Sequence, residues 1–329
     1  MKKIALLLIL TGYILSCQKE DYIDCPSQNP AICDTTQFLT KLPIDSCITF
    51  PPPVHTLPFY ETFSSSLLAI GETNSNELVF VESFYEDQVS SPEQNIWKID
   101  TCINEKSMIF QGSFGKVELS DENWVLFRRG GFWKIKTNGD SLTQLLDKTP
   151  HSFFDWCRGG KAIFYKEFNS ELSFLVSADG QVLDSFNLDY FAVAGSEDKV
   201  ALTLVNSSDI TSIGYIDLNN QNTFHEVIVL DRSLYAHVNE LEWLDDQRLL
   251  IRELKGIYVL DIFTGEMELV KQICDNVHYL WLSRIPNNTE YIWATRRDQE
   301  YAGGGIIHYN TNISLLNIVT GEEWLFQLE

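Results

Sequence analysis

The 329-residue sequence is poor in basic residues, with 24 Lys and Arg against 46 Asp and Glu and a formal net charge of −22. This deficit argues against a nucleic-acid-binding protein, because such a protein needs a basic surface to neutralise phosphates. Methionine is also scarce, at 3 residues, whereas the chain has 20 Phe, 13 Tyr and 8 Trp. Apolar residues make up 44% of the chain and charged residues 21%. That composition indicates a folded body with a sizeable core rather than a disordered chain.

The sequence also lacks the short motifs that identify common catalytic sites. It has no G-x-S-x-G nucleophile elbow, no H-E-x-x-H zinc motif, no P-loop and no G-x-G-x-x-G. C-x-x-C pairs and zinc-type Cys/His spacings are missing too. The sequence therefore favours a binding protein without catalytic chemistry and predicts no cofactor, while the question of an enzyme stays open.

The sequence has no hydrophobic run long enough to span a membrane, and its most hydrophobic stretch lies at the beginning of the chain. A basic start precedes an apolar run at 4–10, which is shorter than the ~20 residues of a membrane-spanning helix and fits a secretory signal. Residues 14–17, Ile-Leu-Ser-Cys, resemble the bacterial lipobox. The resemblance implies cleavage before Cys17 and a membrane anchor of acyl chains such as palmitate on that cysteine. The alternative is an ordinary signal peptide followed by a chance cysteine.

The segment after Cys17 is polar and then rich in proline. Residues 18–21, Gln-Lys-Glu-Asp, are similar to the export tag of some Gram-negative surface lipoproteins. We therefore expect an outer-membrane lipoprotein on the cell surface, with a periplasm-facing protein as the alternative. Seven of the ten prolines lie between Pro26 and Pro58, where regular strand or helix is not expected. The sequence predicts a signal peptide at 1–16, a lipidated proline-rich tether at 17–63 and a body at 64–329.

The remaining cysteines fit an oxidising compartment. They number six, which is an even count and allows 15 disulfide connectivities. Cys47 could join the tether to the body through Cys102 or Cys274. Cys157 lies in a predicted strand, where a small buried apolar side chain is the alternative to a disulfide. The six are Cys25, Cys33, Cys47, Cys102, Cys157 and Cys274.

One pattern recurs six times along the body. In each copy a polar turn precedes a run of β-branched and aromatic residues, and these runs begin at positions 77, 123, 161, 199, 248 and 290. A second such run follows each of them. Several copies then close on a turn such as Asn138-Gly139 or Asp179-Gly180, a hairpin signal for which we expect positive φ at both central residues.

Four short strands every 40 to 45 residues are typical of a β-propeller blade. Six blades of that size fill residues 64–329. The predicted fold is therefore all-β, a six-bladed β-propeller of four-stranded antiparallel blades. A sandwich or a pair of barrels would not explain the sixfold recurrence.

The repeats also resemble a known family. Residues 156–163 and 243–250 look like the Trp-x-x-Asp-Gly-Lys-x-Ile turn of TolB-like β-propellers, and residues 132–145 are similar to that family's third-to-fourth strand segment. Blade four departs from the pattern with Ala194 in place of Trp. The resemblance implies a six-bladed propeller that often serves as an interaction platform, and it implies no catalytic residue.

Three of the six histidines lie where the chain enters the predicted first strand of blades three, five and six, the strand that lines the channel in a propeller. They are His151, His237 and His278, and in a closed ring they could converge on one mouth of the channel. With Asp155 or Glu240 they could hold a divalent metal ion or an anionic ligand. The alternative is three unrelated polar loop residues.

Residues 296–312 are predicted to form a long connection in blade six. Because long connections are often functional, we expect Arg296, Arg297 and Tyr301 to contact a ligand if this segment covers the channel as a lid. A disordered insertion is the alternative.

These observations predict a membrane-anchored propeller that binds a protein, a glycan or a small ligand, and no nucleic acid. The rival hypothesis is a metal-assisted lyase or hydrolase that acts on a polysaccharide or lactone at the histidine mouth.

Overall fold

The structure is a computed structural model in which almost every described residue belongs to a strand or a turn. Apart from a short 3₁₀ helix, Thr35–Phe38, the regular elements are β-strands. Among the described residues no helix is long and apolar enough to cross a membrane. The described residues are 35–43, 61–62, 65–84, 93–147, 150–168, 170, 172–207, 210–220, 223–231, 238–303 and 306–328.

Twenty-four of the strands form six four-stranded antiparallel sheets arranged in a ring, so the predicted six-bladed β-propeller is confirmed. Blades one and two comprise β3 Ser65–Glu72, β4 Glu77–Phe84, β5 Glu93–Asp100, β6 Glu105–Gly112, β7 Val117–Leu119, β8 Trp124–Arg128, β9 Phe132–Lys136 and β10 Thr143–Leu146. Blades three and four comprise β11 Pro150–Cys157, β12 Ala162–Glu167, β13 Leu172–Ser177, β14 Val182–Asn187, β15 Tyr190–Gly195, β16 Lys199–Ser207, β17 Ile210–Asp217 and β18 Phe224–Asp231. Blades five and six comprise β19 Val238–Trp243, β20 Arg248–Glu253, β21 Gly256–Asp261, β22 Met267–Gln272, β23 Val277–Ile285, β24 Asn288–Gly303, β25 Ile306–Asn317 and β26 Glu323–Phe326.

The turns between the third and fourth strands differ in one detail from the expectation. Gly139 and Gly180 have φ of 86° and 93°, but Asn138 and Asp179 are absent from the positive-φ residues. The expectation that both central residues of these turns have positive φ was therefore wrong. Lys136 N donates to Asp140 O at 3.0 Å and Gly139 N donates to Lys136 O at 2.8 Å, so the glycine alone takes the left-handed conformation that a side chain would disfavour.

Six apolar clusters hold the blades together, one between each pair of neighbours around the ring. Trp243 shows how a repeat position builds this packing. It is 2% exposed, lies in the cluster between blades four and five, and donates from Nε1 to Ala194 O at 3.0 Å. Because a single blade cannot cover both of its faces, this packing around the ring supplies the core.

The ring closes between blade six and blade one through side-chain contacts. Ala69 N donates to Thr295 Oγ1 at 2.7 Å, and Trp293 Nε1 donates to Glu72. Apolar residues of both blades, including Phe80 and Trp293, share one buried cluster. In the described residues, each blade is made of four consecutive strands.

Blade six carries two additional strands. β1 Leu39–Lys41 pairs antiparallel with the outer strand β26, and β2 Glu61–Thr62 pairs parallel with β25. The expectation that the proline-rich segment forms no regular strand was therefore wrong for β1. Leu39 to Lys41 contains no proline, so its backbone donors are available for pairing.

The prediction of a long connection at 296–312 was also wrong. β24 and β25 stay paired along most of this segment, from Arg296 with Asn312 to Gly303 with Ile306. The segment is therefore an extended hairpin, in which the residues continue the pairing of β24 with β25.

Cysteine chemistry is partly visible. Cys102 and Cys274 are disulfide-bonded, whereas Cys157 is free and 1% exposed. This confirms the alternative reading of Cys157 as a small buried side chain. Cys17, Cys25, Cys33 and Cys47 lie outside the described residues, so the connectivity stays a prediction.

Candidate functional site

The innermost strands of the blades line a central channel with two connected cavities. One has a volume of about 280 Å³ and the other about 60 Å³. We call the larger cavity the mouth, because along the inner strands most of its lining residues precede those of the smaller cavity. Glu118, Asp155 and Glu242 line both cavities, and we call this level the waist.

Alternation along the inner strands explains the two levels. Side chains two residues apart on a strand point the same way, so Lys116 lies above Glu118, Phe153 above Asp155, and Glu240 above Glu242. The mouth is completed by aromatic side chains, hydrophobic residues of blades four and five, and one arginine. These are Phe191, Ala192, Val193, Leu241, Arg252 and Trp281.

Glu240 is fixed in place at the mouth. Its Oε2 accepts from Arg252 Nε at 2.8 Å and its Oε1 accepts from Leu282 N at 2.9 Å. Burial raises the pKa of Glu240, and Arg252 partly offsets that shift. Glu240, predicted as a metal or ligand contact, is therefore a buried carboxylate that joins blade five to blade six.

Lys116 brings a primary ammonium group into the mouth. Its Nζ is paired with Glu118, donates to Phe154 O at 2.7 Å and lies 5.2 Å from the centre of the Trp281 ring. Burial alone would lower the pKa of Lys116, but Glu118 and Asp155 outweigh it and the pKa is raised. The ammonium is thus held in its charged form between carboxylates and aromatic faces.

The waist gathers carboxyl groups that repel one another. Asp155 accepts from Trp156 N at 2.7 Å and Gly195 N at 2.8 Å, yet burial raises its pKa to about 6. Burial also raises the pKa of Glu118 to about 8, with Lys116 opposing the shift. The pKa of Glu242 is raised well above its usual value, first by burial and then by Asp155.

The smaller cavity lies below the waist. Arg284 pairs there with Asp121, while its Nε lies 3.9 Å from Glu242 Oε1, beyond hydrogen-bond distance. Burial raises the pKa of Glu72 to about 7. Ser283 lines this cavity and is 4% exposed, and its Oγ has no hydrogen-bond partner in the part of the chain that the structure describes.

Two of the three predicted histidines, His151 and His278, are described, and they lie in different surroundings. His151 stacks on Phe153 with ring centroids 4.3 Å apart, and burial followed by Lys166 lowers its pKa. Burial also lowers the pKa of His278, which lies near Asp275 and Arg297. His237 falls outside the described residues, so convergence of the three stays a prediction.

Arg296 is placed in a buried ion-pair network. It is 6% exposed, and its Nη1 lies 2.8 Å from Glu323 Oε2. The same oxygen accepts from Tyr279 Oη at 2.7 Å, and Lys271 Nζ lies 3.3 Å away. These contacts hold the guanidinium within blade six.

The neighbouring predicted residues, Arg297 and Tyr301, lie on β24. Arg297 stacks over the Tyr309 ring at 5.1 Å, within the same hairpin. The side chain of Tyr301 lies outside the part of the chain that the structure describes. A role of either residue in ligand contact stays a prediction.

In the described part of the chain, no three His, Cys, Asp or Glu side chains converge closely enough to hold a metal ion. Because His237 is not among them, the metal hypothesis and the enzyme hypothesis that depends on it remain untested.

Sequence reasoning named Asp155 and Glu240 but missed Glu118, Glu242, Lys116 and the aromatic residues of the mouth. A usable signal was present. In blades three and five an acidic residue directly precedes the tryptophan of the repeat, as Asp155-Trp156 and Glu242-Trp243, and Glu118 takes the same place in blade two. Because neighbouring strand residues point to opposite sides, a residue beside a buried tryptophan faces the channel.

No protein-family model matches the chain, and no curated protein matches it in sequence. Solved structures do match. A protein assigned as TolB from Agrobacterium tumefaciens superposes with a TM-score of 0.52 at 10% identity, over 68% of this chain and 84% of that one. The β-propeller domain of the Trilobed protease from Pyrococcus furiosus gives 0.51 at 10% identity, over 77% and 94%.

A Pyrococcus horikoshii acylaminoacyl peptidase gives a TM-score of 0.51 at 11% identity, over 79% of this chain and 51% of that one. At such identities the likeness concerns the fold alone. By its six blades and by these likenesses, the chain is a six-bladed β-propeller similar to that of TolB.

Proposed function

We propose that this chain is a lipid-anchored envelope protein whose propeller binds a ligand at the mouth of the channel without changing it chemically. The observation that carries the proposal is the mouth itself, a cavity of about 280 Å³ where aromatic side chains meet fixed charges. Concave sites with apolar walls and a few placed polar groups are the usual form of ligand sites.

The aromatic walls favour binding of a ring or an apolar body. Phe153, Phe191 and Trp281 come from three different blades and all line the mouth. Aromatic side chains contribute large contact areas and favour stacked or edge-on ring contacts. The charged groups then orient the ligand, because Arg252 and Glu240 hold each other in position.

The mouth is built on a rigid support. The inner strands of blades three and four pack on both sides into the apolar clusters between blades, so their lining side chains are positioned before a ligand arrives. Such preorganisation reduces the ordering cost of binding. We therefore expect binding without large rearrangement of the blades.

A ligand-observed NMR screen of aromatic and sugar fragments tests the binding proposal. The full mature chain carries Cys17→Ser, which removes the attachment site of the lipid. We expect fragments that bind this protein to lose saturation transfer when Trp281→Ala is added. Trp133→Ala, at a half-buried tryptophan of blade two, is the matched control and should leave the signals unchanged. The proposal is overturned if no fragment binds, or if both variants behave alike.

Anchoring is the second part of the proposal. It rests on the lipobox-like residues 14–17 and the polar residues after them, all of which lie outside the described structure. Mass spectrometry of the mature protein should find an acylated Cys17 at the N-terminus, and Cys17→Ser should release the protein from membranes. Cleavage at another site with an unmodified Cys17 would refute the anchor.

A further part of the proposal is that the anchored protein faces the outside of the cell. Whole cells treated with a protease should lose the protein if it faces outward, whereas a periplasm-facing protein is degraded only after the outer membrane is opened. Protection in intact cells would contradict surface display and leave the anchor itself in place.

A further inference from the structure

The charges along the channel do not balance. Six carboxyl groups and three cationic groups line its two cavities, a formal excess of three negative charges. The carboxyl groups belong to Glu72, Glu118, Asp121, Asp155, Glu240 and Glu242, and the cationic groups to Lys116, Arg252 and Arg284.

All three cationic groups already have a carboxylate partner. Lys116 pairs with Glu118, Arg252 with Glu240, and Arg284 with Asp121. Glu242 is left with Arg284 at 3.9 Å, beyond hydrogen-bond distance. Asp155 receives hydrogen bonds from two backbone N–H groups, and within the described part of the chain no ion pair joins it to Lys116 or Arg284, whose charges act on it from a distance. Uncompensated buried carboxylates are costly, and a bound cation would relieve that cost.

An independent observation places an unpartnered acceptor just below the waist, in the smaller cavity. Ser283 is 4% exposed and lines the smaller cavity with Glu242 and Asp155, and among the described residues its Oγ has no hydrogen-bond partner. Buried hydroxyl groups are normally hydrogen-bonded. A ligand with N–H donors at the waist would satisfy this hydroxyl oxygen together with the carboxylates.

Lys116 shows what kind of cation the channel accommodates. Its ammonium is bound by a carboxylate, by the Phe154 carbonyl at 2.7 Å and by the Trp281 ring face at 5.2 Å. A ligand ammonium would find carboxylate acceptors one level lower, in Glu242 and Asp155. A metal ion fits less well, because no three described side chains of the required types converge on one point.

We infer that the waist of the channel binds the positively charged amino group of a ligand whose apolar or ring-shaped part fills the mouth. This inference rests on the proposed function, since it names the class of ligand for the same mouth. The amino group donates hydrogen bonds toward Glu242, Asp155 and Ser283. The ring lies among Phe153, Phe191 and Trp281.

Three probes of similar shape and different charge test the inference. Phenethylammonium, neutral phenethyl alcohol and anionic hydrocinnamate are titrated calorimetrically into the full mature chain carrying Cys17→Ser. We expect the ammonium to bind at least about tenfold more tightly than the alcohol, and hydrocinnamate to bind most weakly. At a pH above the titration range of the waist carboxyl groups, where Glu242 is deprotonated, Glu242→Gln should weaken binding of the ammonium by about tenfold or more and leave binding of the alcohol unchanged.

Glu290→Gln, at an exposed carboxylate of blade six, is the control and should change nothing. The thermal unfolding of each variant is recorded, and we expect Glu242→Gln to remain folded because the substitution keeps the shape and removes a repelled charge.

Binding of the ammonium should also strengthen as the pH rises through the range in which the carboxyl groups of the waist lose their protons. Glu242 faces Asp155, Glu118, Glu240 and Arg284 there, and deprotonated carboxylates attract the cation.

The outcomes separate the two proposals. Equal binding of ammonium and alcohol, unaffected by Glu242→Gln but weakened by Trp281→Ala, overturns the inference and leaves the binding mouth. Failure of all three probes, or binding insensitive to Trp281→Ala, overturns both. If Ca²⁺ alone binds and Glu242→Gln abolishes it, the waist is a metal site and the inference is wrong.

Discussion

The surfaces between the blades and the wall of the channel are built by the same inner strands, yet they differ in regularity. Between blades, similar apolar residues recur at equivalent positions, as Trp156 and Trp243 do. Facing the channel, equivalent positions carry Lys116, Phe153 and Glu240. The repeat therefore preserves packing, while the channel positions diversify, which is expected where the surface recognises a ligand rather than another blade.

The largest loss of stability should come from a substitution in the packing between blades. Trp243→Ala empties a site that is 2% exposed and removes the hydrogen bond to Ala194. We expect the free energy of unfolding in urea to fall by about 3–5 kcal/mol. Trp133→Ala, at a half-buried site, should cost less than half as much. Equal losses would show that the repeat tryptophans are not the main support of the ring.

A second large effect is expected in blade six. Arg296→Leu leaves Glu323 buried with a weakened set of partners, Tyr279 and the more distant Lys271. Because breaking a buried ion pair strands a charge, stability should fall by about 3 kcal/mol. Chemical denaturation measures the loss, and ligand binding at the mouth should be retained by the folded fraction. A fully stable variant with altered binding would instead show that Arg296 contacts the ligand.

The waist should show a smaller effect of the opposite sign that depends on pH. The raised pKa of Glu242 means that the folded chain keeps a proton after the unfolded chain has lost it. Stability contributed by that proton is present below the unfolded pKa of about 4.3 and is lost as the pH rises toward the folded value. Glu242→Gln removes this dependence.

We therefore expect the free energy of unfolding of Glu242→Gln, measured in urea and compared with that of the wild type, to be more favourable at about pH 8 than at about pH 5. Glu290→Gln should show the same difference from wild type at both values. If Glu242→Gln did so too, the crowding of charges at the waist would be refuted.

The smallest effect is expected outside both surfaces, at the additional strand of blade six. Lys41 pairs with Glu322 where both side chains are about half exposed. Exposed ion pairs contribute little, so Lys41→Ala should change the free energy of unfolding by less than about 1 kcal/mol. A larger loss would mean that β1 depends on this contact to stay paired with β26.

The fold was predictable because its signal is repeated. Each strand run predicted at 77, 123, 161, 199, 248 and 290 lies in the second strand of a blade, or overlaps it within a residue or two. Two local features were not predictable in this way. The pairing of β1 with β26 joins residues far apart in sequence, and the β24–β25 hairpin at 296–312 has no counterpart in the other blades.

The candidate site was only partly predictable for a related reason. Asp155 and Glu240 could be named because they stood near predicted histidines, but Lys116 and Trp281 share no motif with them. Their meeting depends on the curvature of the ring, which brings blades two and six to the same mouth. His151 was named on position alone, and its stacking on Phe153 depends on a neighbour that the histidine pattern ignored.

A crystal structure of the full mature chain with phenethylammonium tests the central claim most directly. We predict the ring of the probe among Phe153, Phe191 and Trp281, with its nitrogen within about 3 Å of Glu242 or Asp155. A probe bound elsewhere, with the channel closed to it, would contradict the claim that the channel is the binding site.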